Sequence, residues 1–143
     1  MAAALEAIAS RLEAAGLGVR PTTGAAINNG VYVGRMPQTA THGILVYPRP
    51  TGGRVDNSTP GYIRTRGRIV CRGDDYSEVM VRAHAAAKAI NLLAHSEDIF
   101  GVIFIELYAS TTPVDYPLSE GTFIEISFAF RAAYVTDGDW VPG

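Results

Sequence analysis

A chain of 143 residues, 48% of them apolar and 18% charged, is long enough for one domain with a hydrophobic core and is not typical of a disordered protein. Its net charge of −2 argues against a general attraction for nucleic acid, and its single cysteine, Cys71, excludes a disulfide framework and a thiolate metal site. The N-terminus lacks the pattern of a signal peptide and no apolar run reaches roughly 18 residues, so the sequence predicts a cytoplasmic protein.

The first predicted element is a helix over Ala2–Ala15. Leu5, Ile8, Leu12 and Ala15 recur at helical spacing, and Gly16 suits the left-handed position that follows a helix. The apolar face is narrow, so we expect this helix to lie on a larger surface such as a sheet.

Two short strands are predicted next, at Val31–Val33 and Gly43–Tyr47, after an Asn-Gly turn signal at 29–30. The sequence leaves open whether they flank a loop or form one interrupted edge element. A long loop rich in proline and glycine follows over Pro48–Pro60. We interpret it as an interaction arm, and the alternative is an idle hairpin loop.

A strand with an arginine row is predicted over Tyr62–Arg72, because arginines alternate with apolar or small residues at a period of two. The row comprises Arg64, Arg66, Arg68 and Arg72. It has three interpretations: a solvated or salt-bridged face with Glu106 or Glu125 as partners, a subunit interface, or a nucleic-acid contact. The negative net charge and the lack of interleaved aromatic residues other than Tyr62 argue against the third.

A second helix is predicted from Asp75, its N-cap, to about Leu93, with Glu78 placed to complete a capping box. Many of its residues are alanines, which allow a helix to lie close to a sheet. The positions expected to face the core are Val79, Ala83, Ala86, Ala87, Ile90 and Leu93.

Two further strands are predicted at Gly101–Ala109 and Thr122–Tyr134, separated by a second long loop, Ser110–Gly121. In the first of them, we expect Ile103, Ile105 and Leu107 on one face and Val102, Phe104, Glu106 and Tyr108 on the other. In the second, Ile124, Ile126, Phe128 and Phe130 share one face. The C-terminal segment carries the only tryptophan, Trp140.

The predicted order α-β-β-α-β-β indicates an α+β fold, a two-layer sandwich of a mainly antiparallel sheet with two helices on one face. Residues 1–134 form a single domain in this prediction, and residues 135–143 form a C-terminal tail. The uncovered face of the sheet would then meet solvent or a partner.

No group of residues predicts catalysis, a cofactor or a metal site. His42, His84 and His95 lack the spacing of metal ligands, and a turn followed by an N-cap explains Asp74 and Asp75. Glycine-rich phosphate loops and nucleophile motifs are absent from the sequence. We therefore predict a protein that is not an enzyme, with a small enzyme of unrecognised type as the weakest alternative.

The order and spacing of several short motifs resemble the tail terminator, or tail completion, proteins of tailed bacteriophages. These motifs are the helix ending in Gly16-Leu17-Gly18, the segment Val31–Pro37, Gly52-Gly53, the strand ending Cys71-Arg72-Gly73, the turn Asp74–Glu78 before the alanine-rich helix, and Pro117-Leu118. They cover almost the whole chain.

The resemblance implies a structural virion protein assembled in the host cytoplasm. Such proteins form a closed, hexameric ring at the head-proximal end of the tail tube. The ring stops tail polymerisation and joins the tail to the head connector, while DNA passes through its lumen without sequence-specific binding. The implied partners are further copies of the chain, the tail tube protein and a head completion or connector protein.

A ring needs two different patches on each subunit, and the chain offers several candidates. They are the arginine row, the two long loops and the C-terminal segment, represented by Arg64, Arg66, Arg68, Arg49, Arg54, Asp115, Glu120 and Trp140. The alternatives are another phage neck or head–tail connector protein, or a nucleic-acid-binding module that uses Arg64, Arg66 and Arg68.

Overall fold

The computed structural model describes residues 2–21, 29–37, 40–48, 54–55, 62–92, 96–115 and 123–135. These residues form two helices and eight strands: α1 (Ala2–Ala14), β1 (Gly30–Val33), β2 (Gly43–Pro48), β3 (Arg54–Val55), β4 (Tyr62–Gly73), α2 (Tyr76–Ile90), β5 (Glu97–Ile99), β6 (Val102–Ala109), β7 (Val114–Asp115) and β8 (Ile124–Val135). The α+β class is as predicted. The strands β3, β5 and β7 are additional to the predicted order.

The strands form one mixed sheet in the order β1-β2-β4-β8-β6-β5, with β3 paired to β4 and β7 paired to β8. Only β1 and β2 run parallel; the other described pairs are antiparallel. The prediction that loops would join the strands as antiparallel hairpins is therefore wrong at this edge. The connection between β1 and β2 returns the chain to the same end of the sheet, and its Met36 and Ala40 pack with Tyr32 and Leu45.

Helix α1 ends as its glycine predicted. Gly16 has a φ of 80°, the Leu17 N–H donates to the carbonyl of Leu12 at 3.1 Å, and the Gly16 N–H donates to the carbonyl of Glu13 at 2.9 Å. These two bonds define a Schellman motif. The buried face is wider than predicted and comprises Ala4, Leu5, Ala7, Ile8, Ala9 and Leu12. The prediction is wrong for Ala15, which follows the last residue of the helix and is exposed.

The sheet curls around α1 as a half-barrel. The helix contacts β1 and β2 at one edge of the sheet and also β5 and β6 at the opposite edge. A flat sheet would not bring both edges to one helix, so the predicted two-layer sandwich matches the structure only in part. Both helices still lie against the same face of the sheet, where they share one apolar core with it.

Helix α2 begins at the predicted N-cap, because the Asp75 carboxylate accepts a hydrogen bond from the Ser77 N–H at 3.0 Å. The helix ends at Ile90, three residues before the predicted end, where Asn91 takes an extended conformation. The predicted core positions Val79, Ala83, Ala86 and Ile90 are buried and Ala87 is partly buried. The sixth position, Leu93, lies outside the described residues.

Strands β4 and β8 form the centre of the sheet, with twelve consecutive residues of β4 paired to β8. On the helix side of β8 the side chains of Ile126, Phe128 and Phe130 are fully buried, as the alternation predicted. Gly67 of β4 lies directly opposite Phe130. A Cβ atom at this glycine would lie 2.6 Å from the Phe130 ring, so the ring rests on bare backbone.

The face assignment predicted for β6 is wrong in its first half. Val102 and Phe104 are buried in the core together with Leu107, whereas Ile103 is exposed. The pairing of β6 with β8 shifts between Phe104 and Glu106, which indicates a β-bulge at this point. A bulge inserts one residue, so the side chains before it point to the face opposite to that of the simple alternation.

Strand β5 forms a tight hairpin with β6 through the two residues Phe100 and Gly101. Their φ values are 48° and 88°, the left-handed values of a type I′ turn. The Asp98 carboxylate accepts a hydrogen bond from the Gly101 N–H at 2.9 Å and so stabilises the turn.

Parts of both predicted arms belong to the sheet. In the first loop, Arg54 and Val55 pair with Arg64 and Ile63 of β4. In the second, the described residues continue along β8: the Ser110 N–H donates to the carbonyl of Ala129 at 2.8 Å, and β7 pairs with Ser127 and Ile126. Residues 49–53, 56–60 and 116–121 of the two arms lie outside the described part of the chain.

Candidate functional site

The face of the sheet that points away from the helices carries the arginine row, and we refer to it as the open face. Its central part consists of alternate residues of β4 and β8, namely Arg64, Arg66, Arg68, Val70, Arg72, Glu125, Ser127, Ala129, Arg131 and Ala133. Glu106 and Tyr108 of β6 extend it on one side, and Tyr47 of β2 extends it on the other. The segment around Met36 and Ala40 covers one corner, where Val70 is buried.

Arg72, at the end of the row, contacts other residues of the same subunit. Its guanidinium forms an ion pair with the Glu125 carboxylate at 3.0 Å and donates to the carbonyl of Ala40 at 3.1 Å. It also lies 5.6 Å from the centre of the Phe123 ring, within the range of a cation–π contact. The predicted pairing of an arginine with Glu125 is therefore confirmed, and Arg72 holds the connection between β1 and β2 against the sheet.

Arg64 has the second predicted carboxylate near it. Its guanidinium lies 3.9 Å from the Glu106 carboxylate, across the small side chain of Ala133. The Arg64 side chain is 54% exposed and that of Glu106 is 37% exposed. A pair this long and this exposed contributes little to stability.

In the described part of the chain, Arg68 is bonded to a neutral group only. It donates to the Ser127 hydroxyl at 3.2 Å, and its Nε atom is buried without a hydrogen-bond partner. An unsatisfied buried donor on a charged side chain costs free energy, because its solvation by water is lost without replacement.

Arg66 lies directly opposite Arg131 in the β4–β8 pair. Two like charges at facing positions repel each other, and neither side chain has a carboxylate partner within the described part of the chain. Tyr108 flanks Arg131 on the next strand and is partly exposed. The middle of the open face is thus positively charged, and no carboxylate of the described residues compensates it.

The charge of the open face differs from that of the chain as a whole. It carries five arginines and two glutamates, an excess of three positive charges, whereas the whole chain has a net charge of −2. Sequence reasoning found the row but missed its aromatic flanks, Tyr47 and Tyr108. Their position beside Arg68 and Arg131 follows from the strand register, which no local pattern encodes.

The other predicted interface residues are placed only in part. The backbone of Arg54 pairs with Arg64 in β3, and the backbone of Asp115 pairs with Ile126 in β7. Arg49, Glu120 and Trp140 lie outside the described residues.

The described residues offer little for catalytic chemistry. They contain no group of three or more histidine, cysteine, aspartate and glutamate side chains that could hold a metal ion. Burial raises the pKa of the Cys71 thiol from 9.0 to about 12, opposed weakly by the charge of Arg82, so this thiol is not a nucleophile. No helix of the described residues is long and apolar enough to cross a membrane.

Comparison with known proteins agrees with this architecture. A solved structure of the virion of a native gene transfer agent particle contains a similar chain, with a TM-score of 0.51 and 15% sequence identity over 73% of this chain and 78% of that chain. At 15% identity, this similarity indicates a shared fold only. No curated protein matches the chain.

The model of a protein family, described as the bacteriophage tail terminator protein, matches residues 11–136. The match includes both central strands, α2 and the whole open face. The chain therefore belongs to the bacteriophage tail terminator family and is a structural component of the virion, in its tail or neck.

Proposed function

We propose that this protein assembles into a closed ring, a hexamer, on the head-proximal end of the tail tube. In this position it stops polymerisation of the tube and joins the tail to a connector or head completion protein, and DNA passes through the lumen. Membership of the tail terminator family supports this role. The proposed partners are further copies of the chain, the tail tube protein and the connector.

The observation that carries the proposal is the positive charge in the middle of the open face, which the described residues do not compensate. Arg66 and Arg131 face each other, and among the described residues Arg68 bonds only to the Ser127 hydroxyl. Acidic groups from outside the subunit would relieve this repulsion and satisfy the buried Nε of Arg68. We therefore propose that the open face meets another protein subunit, which is what a ring with two different contact patches requires.

The predicted arms and the C-terminal segment are further parts of this proposal. Arg49 and Arg54 in the first loop, Asp115 and Glu120 in the second, and Trp140 near the C-terminus remain candidates for contacts between subunits. Asp115 and Glu120 are acidic and would complement the arginine row of a neighbouring copy.

The experiment is a measurement of mass in solution with and without tail tube protein, together with electron microscopy of tube ends. We expect a ring on its own or at the ends of tubes, and tubes of limited length when the protein is present. A strict monomer that leaves tube length and tube ends unchanged would contradict the proposal.

Nucleic-acid binding by the open face is a second candidate, and one structural observation favours it. Tyr47 and Tyr108 lie beside Arg68 and Arg131, which supplies aromatic side chains next to cations. This function predicts DNA binding at low salt that weakens steeply as salt is added, and a Tyr108→Ala variant that binds less tightly. Absence of binding at low salt would remove it.

A further inference from the structure

The tip of the β5–β6 hairpin carries an aromatic residue in an unfavourable place. Phe100 occupies the first central position of the type I′ turn, with a φ of 48°, where asparagine, aspartate or glycine is usual. Its side chain is 64% exposed, so little burial within the subunit offsets the strained backbone. Neither local conformation nor core packing explains a phenylalanine here, and contact with another molecule would.

A groove with matching chemistry lies on the helix layer. It has a volume of ≈ 510 Å³ and runs between the end of α1 and the outer side of α2. Its apolar lining comes from Leu17, Val81 and Ala85, and the Val81 side chain belongs to a residue that is 69% exposed. Gly16 leaves its rim open, because a Cβ atom there would meet nothing within 4 Å.

The acid beside the tip is complementary to Arg82, one of the two charged residues that line the groove. Asp98 is exposed next to Phe100 and keeps one carboxylate oxygen for the turn. Arg82 lines the groove next to Val81 and forms no ion pair within the described part of the chain. Glu78 and Ser77 line the groove as well, so an aromatic residue flanked by an acid matches the Arg82 side of the groove and not its Glu78 side.

The tip and the groove lie at opposite ends of the helix layer, so the tip does not reach the groove of its own subunit. Arg11 holds β5 at the C-terminal end of α2 through Glu97 and the carbonyl of Asn91. The groove reaches no further along α2 than Ala85. Val81 and Asn91 are ten positions apart in the chain, which corresponds to about 15 Å along a helix.

We propose that the Phe100 tip of one subunit inserts into the Leu17–Val81–Ala85 groove of a second copy of this chain, with Asp98 facing Arg82. This inference rests on the proposed ring, because a tip on one side and a groove on another make a contact that repeats from subunit to subunit. This apolar contact between subunits would be additional to the contact that we propose for the open face.

The first test measures the affinity between subunits for Phe100→Asn and Val81→Ser. Asparagine tolerates the left-handed conformation of the turn, so the monomer keeps its hairpin while the aromatic anchor is lost. We expect both variants to raise the dissociation constant about 30-fold, as loss of an interface hot spot does. His84→Ser on the exposed side of α2, outside the groove, is the matched control and should leave the constant unchanged.

The second test locates the contact directly. Asp98→Cys and Arg82→Cys proteins are mixed and treated with a short bismaleimide; Cys71 is buried and does not compete. We expect a cross-link between the two variants, and none when His84→Cys replaces Arg82→Cys.

Rings that form without this cross-link, or that tolerate Phe100→Asn, would overturn the inference and leave the proposed function standing. The inference would also be overturned if Phe100→Asn or Val81→Ser weakened binding to the tail tube while self-association stayed unchanged. The tube protein, and not a second copy of the chain, would then contact the tip or the groove. A protein that stays monomeric would overturn both proposals, whereas cross-linked open chains would support this contact and contradict ring closure.

Discussion

The arginines of the open face differ in what they contact, although they share one strand and one alternation. Arg72 is held by a carboxylate, a carbonyl and an aromatic ring, so its role is to fix the connection between β1 and β2. Arg66 and Arg68 have no carboxylate within the described residues. The salt-bridged interpretation of the row therefore holds for Arg72, whereas Arg66 and Arg68 are the members that our proposal assigns to an interface.

Gly67 in the same strand is required by its neighbour across the sheet. A Cβ atom would press on the Phe130 ring and on the carbonyl of Tyr47. We expect Gly67→Ala to lower the free energy of unfolding by about 1–3 kcal/mol, since overpacking outweighs the entropic benefit of alanine. Denaturant unfolding measures this, and an unchanged midpoint would show that the ring moves aside without cost.

Cys71 makes the stability depend on pH in the alkaline range. Burial raises the pKa of its thiol from 9.0 to about 12, so the folded state holds the proton more tightly than the unfolded state. The stability that results from this shift in pKa is fully present below pH 9 and is lost as the pH rises towards 12. We expect the stability of the wild type to fall relative to Cys71→Ala by up to about 1.4 kcal/mol per pH unit in that window. Parallel curves for the two proteins would contradict the assignment.

At the scale of elements, Arg11 joins three parts of the fold. Its guanidinium donates to the carbonyls of Ala89 and Asn91 at the end of α2 and forms an ion pair with Glu97 of β5 at 2.6 Å. A cation at the C-terminus of a helix is also favoured by the helix dipole. This residue couples the two helices to the edge of the half-barrel, a role that the sequence did not indicate.

We expect Arg11→Met to cost about 2–3 kcal/mol of stability, because methionine keeps the apolar stem and removes the charged hydrogen bonds. Arg20→Met is the matched control, since Arg20 pairs with Glu6 at the surface and should cost about 1 kcal/mol or less. Denaturant unfolding of both variants measures the difference. Equal losses would show that Arg11 is no more important than a surface ion pair.

The long elements could be predicted from the sequence, and the short ones could not. Alternation over twelve residues defines β4 and β8, and an N-cap with helical spacing defines α2. Two- and three-residue strands such as β3 and β5 exist because a neighbouring strand offers hydrogen bonds, which leaves no periodic signal. The bulge in β6 and the parallel pairing of β1 with β2 are likewise set by contacts distant in sequence.

The candidate site was predictable to the same extent. The arginine row and its pairing with Glu106 and Glu125 follow from alternation and charge. That Arg66 faces Arg131 depends on the register of two strands separated by a helix and a hairpin. The strain at Phe100 is equally invisible in the sequence, because phenylalanine itself gives no sign of a left-handed turn.

For the whole molecule, the curvature of the sheet separates two kinds of surface. The concave side is filled by α1 and α2, and the convex open face carries an excess of positive charge. A subunit of this kind does not match its own open face, since like charges would meet. Repetition by contact between unlike surfaces, as in a ring, is the assembly that this asymmetry favours.

Arg66→Glu tests the role of the open face in assembly. Glutamate opposite Arg131 replaces a repulsive cross-strand pair with an attractive one, so we expect the isolated subunit to be unchanged or to gain about 0.2–1 kcal/mol of stability. The same change reverses a charge that an acidic partner would contact, so assembly should weaken and become less sensitive to salt.

Lys88→Glu provides the matched control, because it makes the same change of charge at an exposed position of α2. Unfolding of the monomer and mass in solution at several salt concentrations measure the two effects separately. If Arg66→Glu lowers stability and assembly equally, the row acts within the subunit. If both variants weaken assembly equally, net charge governs association, and the open face has no specific part in it.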